Sequence, residues 1–330
     1  MIDIRMWGQA LYKIPRLDAR QWQALDPMAK WLIATRASVL FMTFTAAALG
    51  GLLAWRADLF SWQPWLATTL GLLLAHATNN LLNDWTDSRR GIDKNNYYRN
   101  QYGVHVLEDG LMSTRQFWTY LGITGGLALA LGAWLVAERS GLTLNLFLAG
   151  AFFVLFYTWP LKYYGMGEPA VLLVWGPLMV GGTFYVVAGH WSWEVCWLSL
   201  VFALGPTTVI FGKHIDKLIE DQDKGVRSMP VIMGDTIARK VVVGLLLAQY
   251  FLSAALVASG SFSWPLLLVF LGLPKLKQAL KVFNKPKPAE KPSSYPSTIW
   301  PLWFSAFAFS HTRIFTALFL TGILIDIVIN

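Results

Sequence analysis

The hydrophobic positions of this chain gather into long stretches that few charged residues interrupt. A helix needs about 20 apolar residues to cross the hydrocarbon core of a bilayer. Stretches of roughly this length occur at about 31–55, 64–83, 116–137, 142–161, 169–188, 195–212, 241–258, 262–283 and 299–328. The pattern therefore predicts an all-α polytopic membrane protein with about nine transmembrane helices.

The segments outside these stretches are polar and mostly short. Residues 1–30 mix charged residues with apolar and Trp residues, which favours a helix lying on the membrane surface. A partly ordered cytoplasmic tail is the alternative. The eighth stretch is the least regular, because Lys275, Lys277 and Lys281 in its second half would have to extend to the surface. We expect a cytoplasmic or interfacial segment, 1–30, followed by a single transmembrane domain, 31–330.

Composition supports the membrane class and excludes several others. Only 14% of the 330 residues are charged, whereas a soluble protein has about a quarter of its residues charged. The 17 tryptophans fit aromatic belts at the membrane–water boundary. Cys196 is the one cysteine, so the chain can form neither an internal disulfide nor a cysteine-based metal cluster.

The basic residues predict the orientation of the spans. If the N-terminus is cytoplasmic, 23 of the 27 Lys and Arg residues fall on the cytoplasmic side, and only Arg56 and Arg139 fall outside. Such a bias is the positive-inside signal. We therefore expect a multi-pass protein of the cell (plasma or inner) membrane, with the loops 84–115 and 213–240 cytoplasmic. Anionic lipid headgroups are the expected partner of this charge, and nucleic acid is not.

An acidic cluster marks the end of the second span. His76, Asn80, Asn83 and Asp87 are spaced four, three and four residues apart, so they share one helical face, and Asp84 lies beside them. Asparagine and histidine inside an apolar span are costly unless they line a cavity or find polar partners. The spacing predicts a polar stripe that faces the interior of the helix bundle.

A second acidic cluster follows the sixth span. Asp216 and Glu220 are one helical turn apart and share a face, and Asp221 comes next. Carboxylate and amide oxygens hold Mg²⁺, which takes phosphate oxygens as its remaining ligands. Nearby Lys and Arg side chains neutralise phosphate charge. Two such clusters facing each other indicate a site that makes a bound diphosphate a good leaving group.

These motifs resemble the UbiA-type superfamily of intramembrane prenyltransferases. Asn83-Asp84-x-x-Asp87, with Asp93 beyond it, is similar to the family's NDxxD signature. Residues 157–162 (YTWPLK), 165–168 (GMGE) and 225–231 (GVRSMPV) resemble stretches of the branch that prenylates 1,4-dihydroxy-2-naphthoate. Arg36 lies where the family has an Arg-Pro pair, although Ala37 replaces the proline. The second signature, DxxxD, is met only with Glu220 as its last member, so Glu220 and Asp221 stay open as alternatives.

The resemblance implies a central cavity, capped by the two cytoplasmic Asp-rich loops, in which Mg²⁺ assists transfer of a prenyl group from a polyprenyl diphosphate to an aromatic, quinone-precursor-like acceptor. The implied metal shell is Asn80, Asn83, Asp84, Asp87, Asp93, Asp216, Glu220 and Asp221, with Asp84, Asp87, Asp216 and Glu220 as the catalytic carboxylates. The implied diphosphate partners are Arg36, Lys94, Arg99, Lys162 and Lys213. The aromatic side chains that could stabilise an allylic cation are Tyr157, Trp159 and Tyr185.

Two other functions fit parts of the same pattern. A terpene cyclase of the same superfamily would ionise the diphosphate without using an acceptor. A secondary transporter would place charges near the middle of the membrane, where broken helices meet. Here only Arg313 lies at such depth, where a lone charge costs ~2.5 kcal/mol or more, and we expect it to face the bundle interior.

Overall fold

The computed structural model describes residues 2–94, 98, 103–297 and 300–330, and these form helices, turns and irregular segments. The α-helices, in chain order, are α1 (Ile4–Tyr12), α2 (Ala19–Ala24), α3 (Pro27–Ala34), α4 (Ala37–Arg56), α5 (Trp62–Arg89), α6 (Thr114–Arg139), α7 (Leu142–Phe156), α8 (Gly167–Ala188), α9 (Trp193–Asp216), α10 (Leu218–Asp223), α11 (Met229–Met233), α12 (Asp235–Ala258), α13 (Leu273–Phe283) and α14 (Trp303–Ile329). Two 3₁₀ helices, Leu161–Tyr164 and Trp264–Gly272, precede α8 and α13.

Each predicted apolar stretch coincides with a helical part of the chain. Within the described residues, six helices are long and apolar enough to cross a membrane: α4, α6, α8, α9, α12 and α14. Helix α7 is apolar but has only 15 residues, and the eighth stretch divides into a 3₁₀ helix and α13. The all-helical membrane architecture is confirmed, and the count of nine spans stays a prediction.

The pairing of α9 with α14 fixes the centre of the bundle. At Gly212, a Cβ atom would lie 2.8 Å from the backbone nitrogen of Ser305, so only glycine allows this approach of the two helices. Phe202 and Phe211 of α9 and Phe304 and Phe315 of α14 are buried in the same core cluster. The end of α9 therefore lies directly against the beginning of α14.

Two irregular backbone segments shape the interior. Arg36 has a left-handed conformation (φ 56°) between α3 and α4, which ends one helix and starts the next in a new direction. In α8, a π-helical stretch from Val174 to Gly181 includes Gly176 with non-helical angles (φ −89°, ψ −106°), directly before Pro177. Proline has no N–H to continue the helical ladder, so the helix deforms at this point.

Candidate active site

One cavity of about 1300 Å³ runs into the bundle. Its walls are largely apolar, with Met42, Leu72, Val154, Leu178 and Ile210 among the lining residues. Its polar part is formed by the end of α5, the residues after α7, and the end of α9 with α10. The cavity therefore joins an apolar chamber to a group of carboxylates, amides and basic side chains.

Helix α5 supplies the first cluster. His76, Asn80, Asn83, Asp84 and Asp87 all line the cavity, as the spacing of the stripe predicted. The helix continues to Arg89, so these residues keep their common face to the last turn. Asp84 is 2% exposed and Asp87 is 6% exposed, so both carboxylates are withdrawn from bulk solvent.

Arg36 reaches this cluster from the junction of α3 and α4. Its Nη2 donates to the carbonyl oxygen of Asn80 at 2.9 Å and to Oδ1 of Asn83 at 3.2 Å. The same nitrogen lies 3.4 Å from Oδ1 of Asp84. The Nε atom of Arg36 is buried and has no hydrogen-bond partner in the described part of the chain. The guanidinium thus has one donor left over in the neighbourhood of these carboxylates and amides.

Lys162 reaches Asp87 from the 3₁₀ helix after α7. Its Nζ lies 2.8 Å from Oδ1 and 2.6 Å from Oδ2 of Asp87, so one ammonium group bridges both oxygens. The hydroxyl of Tyr163 donates to Asp87 Oδ1 at 3.5 Å. Burial, together with the negative charge of Asp87, raises the pKa of Tyr163 above its ordinary value, so the phenol stays protonated at neutral pH.

The cluster continues into the loop after α5. Asp93 lines the cavity, and its Oδ2 lies 2.9 Å from Nε2 of His105. The side-chain amide of Asn83 donates to Asp87 Oδ2 and to the hydroxyl of Thr158, each at 3.2 Å. These contacts orient the oxygen atoms of the first cluster.

The second cluster contributes to the cavity in part. Lys213, Lys217 and Asp221 line it, and Nζ of Lys217 lies 3.5 Å from Oδ1 of Asp221. The i, i+4 spacing of this pair in the sequence is the signal that could have identified it. Of the three carboxylates predicted in this cluster, Asp221 is therefore the one that lines the cavity.

Asp216 and Glu220 both lie close enough to Lys287, in the connector before α14, for their charges to act on it. The carboxylate of Asp216 accepts from the backbone N–H groups of Phe304 and Ser305, both at 3.0 Å, and so caps the start of α14. Lys287 lies 3.4 Å from Asp216. Burial lowers the pKa of Lys287, and the charges of Asp216 and Glu220 oppose that shift. Neither carboxylate is among the described residues that line the cavity.

A buried pair absent from the sequence prediction joins the end of α9 to the beginning of α8. His214 Nδ1 lies 2.6 Å from Glu168 Oε1, and both side chains are less than 5% exposed. His214 also lines the cavity. Glu168 belongs to the GMGE stretch, whose resemblance to the family gave no indication of this partner.

The remaining predicted residues lie elsewhere. Trp159 is 44% exposed beneath the guanidinium of Arg90, at 4.8 Å, and the hydroxyl of Tyr185 accepts from the N–H of Leu142. Neither they nor Lys94 line the cavity, in contrast to Tyr157. The proposed site therefore does not include Lys94, Trp159 or Tyr185. Arg99 lies outside the described residues.

The N-terminal segment is a wall of the cavity, which the sequence did not predict. Tyr12, Lys13 and Arg16 line the cavity together with Arg313 of α14. Asp26 anchors the segment by accepting from the backbone N–H of Asp3 at 3.0 Å and from Nε1 of Trp7 at 3.1 Å. Partial desolvation raises the pKa of Asp26, but these hydrogen bonds and that of Ala29 outweigh it and lower the pKa overall.

The first cluster fits a magnesium ion. Its donors are all oxygen atoms, from the carboxylates of Asp84 and Asp87 and the side-chain carbonyl of Asn83, which suits a hard cation. No three His, Cys, Asp or Glu side chains converge within the described residues. Magnesium does not need three, because it usually takes one or two carboxylates, several waters and substrate phosphates. The donor set would therefore suit a metal that is shared with a phosphate ligand.

Comparison with known proteins identifies the family. The sequence model of the UbiA prenyltransferase family matches residues 41–300. The chain is 25% identical to 1,4-dihydroxy-2-naphthoate octaprenyltransferase of Bacillus subtilis over 255 residues, which cover 76% of this chain and 80% of that protein. It is 24% identical to 2-carboxy-1,4-naphthoquinone phytyltransferase of Synechocystis over 265 residues, covering 76% and 81% of the two chains.

Solved structures agree on the fold. A UbiA homolog from Archaeoglobus fulgidus, solved with DMAPP and Mg²⁺ bound, superposes with a TM-score of 0.61 at 17% identity, covering 91% of this chain and 100% of the other. The apo structure of a UbiA homolog from Aeropyrum pernix gives a TM-score of 0.62 at 15% identity, covering 88% and 98%. With a family model that spans most of its length and a shared fold, this chain belongs to the UbiA prenyltransferase family and is a prenyltransferase.

Proposed function

We propose that the protein transfers a prenyl group from a polyprenyl diphosphate to an aromatic acceptor inside the membrane, with Mg²⁺ as cofactor. One observation carries the proposal. Asp84 and Asp87 stand beside Arg36 and Lys162 at the polar end of a large cavity with apolar walls. This arrangement suits an amphipathic substrate with a charged head and a long hydrocarbon tail.

In this proposal Asp84, Asp87 and Asn83 would hold the magnesium ion, and Asp221 of α10 would contribute a further carboxylate. The ion would neutralise negative charge on the diphosphate and so make it a better leaving group. Arg36, Lys162 and Lys213 bind the phosphate oxygens. Lys162 and Arg36 now contact Asp87 and Asp84, so they can turn to the phosphates when a metal takes over those carboxylates.

The apolar part of the cavity would hold the prenyl chain and the ring of the acceptor. Tyr157, Trp175 and Phe153 line it and offer π faces to an allylic cation. The allylic C–O bond breaks, diphosphate leaves, and a ring carbon of the acceptor forms the new C–C bond and loses a proton. A cavity with apolar walls limits the access of water, which would otherwise capture the cation.

The relatives' names support the aromatic acceptor, because two of them are named for naphthoate or naphthoquinone substrates. We propose a quinone precursor as the acceptor class.

We also propose that nine segments cross the inner or plasma membrane, with residues 1–30 as a separate segment and the active-site loops cytoplasmic. Cysteine labelling of intact cells, with Cys196 replaced, should leave position 222 unlabelled and label position 190.

Diphosphate release is the test of the proposed function. Purified protein in detergent is incubated with a panel of prenyl diphosphates and Mg²⁺, with and without a dihydroxynaphthoate. The proposal expects prenylated aromatic product only when the acceptor is present. Release of a terpene hydrocarbon or alcohol without acceptor would favour the cyclase, and no consumption of any prenyl diphosphate would contradict both activities.

A further inference from the structure

Arg313 is a charged residue that the proposed reaction does not use. It lies ten residues after the start of α14, so about 15 Å along the helix axis, and its side chain is exposed. Its guanidinium lies 5.4 Å from the centre of the Tyr12 ring and 5.8 Å from that of Phe309, and the residue lines the cavity. Among the described residues, no carboxylate forms an ion pair with it.

Two more basic residues face the same part of the cavity. Lys13 and Arg16 follow α1 and line the cavity beside Tyr12. Arg16 donates from Nη2 to the backbone carbonyl of Ser297 at 3.4 Å, which is a neutral acceptor. Within the part of the chain that the structure describes, neither Lys13 nor Arg16 has an acidic partner. We call Lys13, Arg16 and Arg313 the cationic wall.

The cationic wall differs from the diphosphate end in how its charge is balanced. At the diphosphate end, Arg36 lies beside Asp84, Lys162 beside Asp87, and Lys217 beside Asp221. The protein thus supplies an anion for each of these three cations. At the cationic wall, the described residues supply no anion. Because the three basic residues of the cationic wall are exposed, line the cavity and lack a carboxylate partner among the described residues, an anionic ligand that enters the cavity can serve as their counter-ion.

We propose that the cationic wall is a second anion subsite, which binds a carboxylate or phosphate carried on an apolar body. The two sources of such an anion are an aromatic acceptor with a carboxylate and an anionic lipid headgroup. We expect the acceptor, and this part rests on the proposed function. The apolar faces of Tyr12 and Phe309 beside the guanidinium would contact the ring while Arg313 binds the carboxylate.

Binding without turnover tests the subsite. The probes are 1-hydroxy-2-naphthoate and its neutral analogue 1-naphthol, measured by equilibrium dialysis against the purified full chain in neutral detergent. Arg313→Gln should weaken binding of the carboxylate about tenfold or more and leave 1-naphthol unchanged, while Arg313→Lys keeps most of the affinity. The double variant Lys13→Gln and Arg16→Gln, which leaves α14 unchanged, should also weaken binding of the carboxylate. The matched control is Lys277→Gln, because Lys277 is exposed and does not line the cavity.

A second experiment tests whether the anion bound at the cationic wall comes from a lipid headgroup. Thermal unfolding is followed in phosphatidylcholine nanodiscs with and without phosphatidylglycerol, for the parent, Arg313→Gln and Lys277→Gln. Loss of lipid protection in Arg313→Gln alone, with carboxylate binding unchanged, assigns the subsite to a lipid headgroup. If Arg313→Gln changes neither carboxylate binding nor lipid protection, the subsite is overturned.

The two proposals fail separately. A parent protein that binds the carboxylate through Arg313 but consumes no prenyl diphosphate contradicts the proposed function and leaves the anion subsite standing. If the parent consumes prenyl diphosphate, but substitutions in the cationic wall change neither carboxylate binding nor lipid protection, the subsite alone is overturned.

Discussion

The two acidic clusters look alike in the sequence and differ in the structure. Each follows an apolar span and contains carboxylates mixed with basic residues. The first keeps Asp84 and Asp87 on the cavity, because α5 continues as a regular helix to Arg89. The second is divided at Lys217, where α9 ends and α10 begins.

This division gives the carboxylates of the second cluster two different partners. Asp216 caps the first backbone N–H groups of α14, whereas Asp221 lies on the cavity beside Lys217. An acidic residue at a helix end can thus bind a ligand or cap another helix. Its substitution should mainly lower activity in the first case and stability in the second. The predictions below separate them.

The largest effect is expected in the first cluster. Asp84→Asn or Asp87→Asn should lower the rate of prenyl-diphosphate consumption at least about a hundredfold, because a metal supplies several kcal/mol of charge stabilisation. Each change also removes the counter-charge of Arg36 or Lys162, so the melting temperature should fall as well, and turnover is compared in the protein that remains folded. Turnover across a magnesium titration, beside the melting temperature in detergent, measures both.

The matched control is Asp109→Asn in the loop after α5. Asp109 is exposed and accepts from the backbone N–H of His105 at 2.8 Å, and an asparagine oxygen can continue to do so. Its activity should remain within twofold of the parent. Full activity of Asp87→Asn together with loss in Asp109→Asn would mean that the site is elsewhere.

In the second cluster, Asp216→Asn should act on stability before activity. The amide can satisfy only one of the two N–H groups at the start of α14, and Lys287 loses its buried counter-charge. The expected cost is about 2–4 kcal/mol of unfolding free energy. A lower melting temperature, with an unchanged magnesium requirement in the protein that remains folded, is the result to look for. An unchanged melting temperature with lost metal dependence would instead make Asp216 a ligand.

A smaller contrast separates Asp221 from Glu220. If Glu220 takes the place of the second Asp of the DxxxD signature, as its four-residue step from Asp216 allows, Glu220 should matter more than Asp221. The geometry reverses the ranking: Asp221→Asn should reduce turnover about tenfold, or ~1.4 kcal/mol, and Glu220→Gln about twofold at most. Parallel kcat/KM measurements on the two variants give the ranking. If Glu220→Gln lowers kcat/KM more than Asp221→Asn does, Glu220 is the ligand, as the spacing from Asp216 indicates.

The smallest effect concerns Lys217. Lys217→Gln removes the ammonium that lies 3.5 Å from Asp221, so a metal no longer competes with it for that carboxylate. The magnesium concentration for half-maximal activity should fall about threefold, as expected for an ion pair worth ~0.5–1 kcal/mol. A rise in that concentration would show that Lys217 supports metal binding instead.

The sequence predicted the helical membrane fold well because apolar length is a local property. Its boundaries were less accurate where polar residues face an interior. The second apolar stretch seemed to end at residue 83, yet α5 continues to Arg89, because its Asn and Asp residues face the cavity and not a loop. The first stretch seemed to begin at residue 31, but α4 begins at Ala37 after the left-handed Arg36. No local sequence pattern predicts a positive φ angle at an arginine such as Arg36.

The site was predictable where one helix carries it. The α5 stripe follows from periodicity alone, and the likeness to family motifs led to Lys162 and Arg36, which are distant in sequence from Asp84 and Asp87. The use of Asp216 was not predictable, because its partners are backbone groups 88 and 89 residues away. The same applies to Lys13 and Arg16, whose surface pattern gives no sign that they line the cavity.

The most direct test of the central claim is a structure of the protein with Mn²⁺ in place of Mg²⁺ and a non-hydrolysable prenyl diphosphate analogue, with the metal located by anomalous scattering. The account predicts a metal peak within about 2.2 Å of an oxygen of Asp84 or Asp87, with the diphosphate between it and Lys162. Asp216 should remain on the backbone of Phe304 and Ser305. A metal bound to Asp216 or Glu220, with the first cluster still paired to Arg36 and Lys162, would contradict the account.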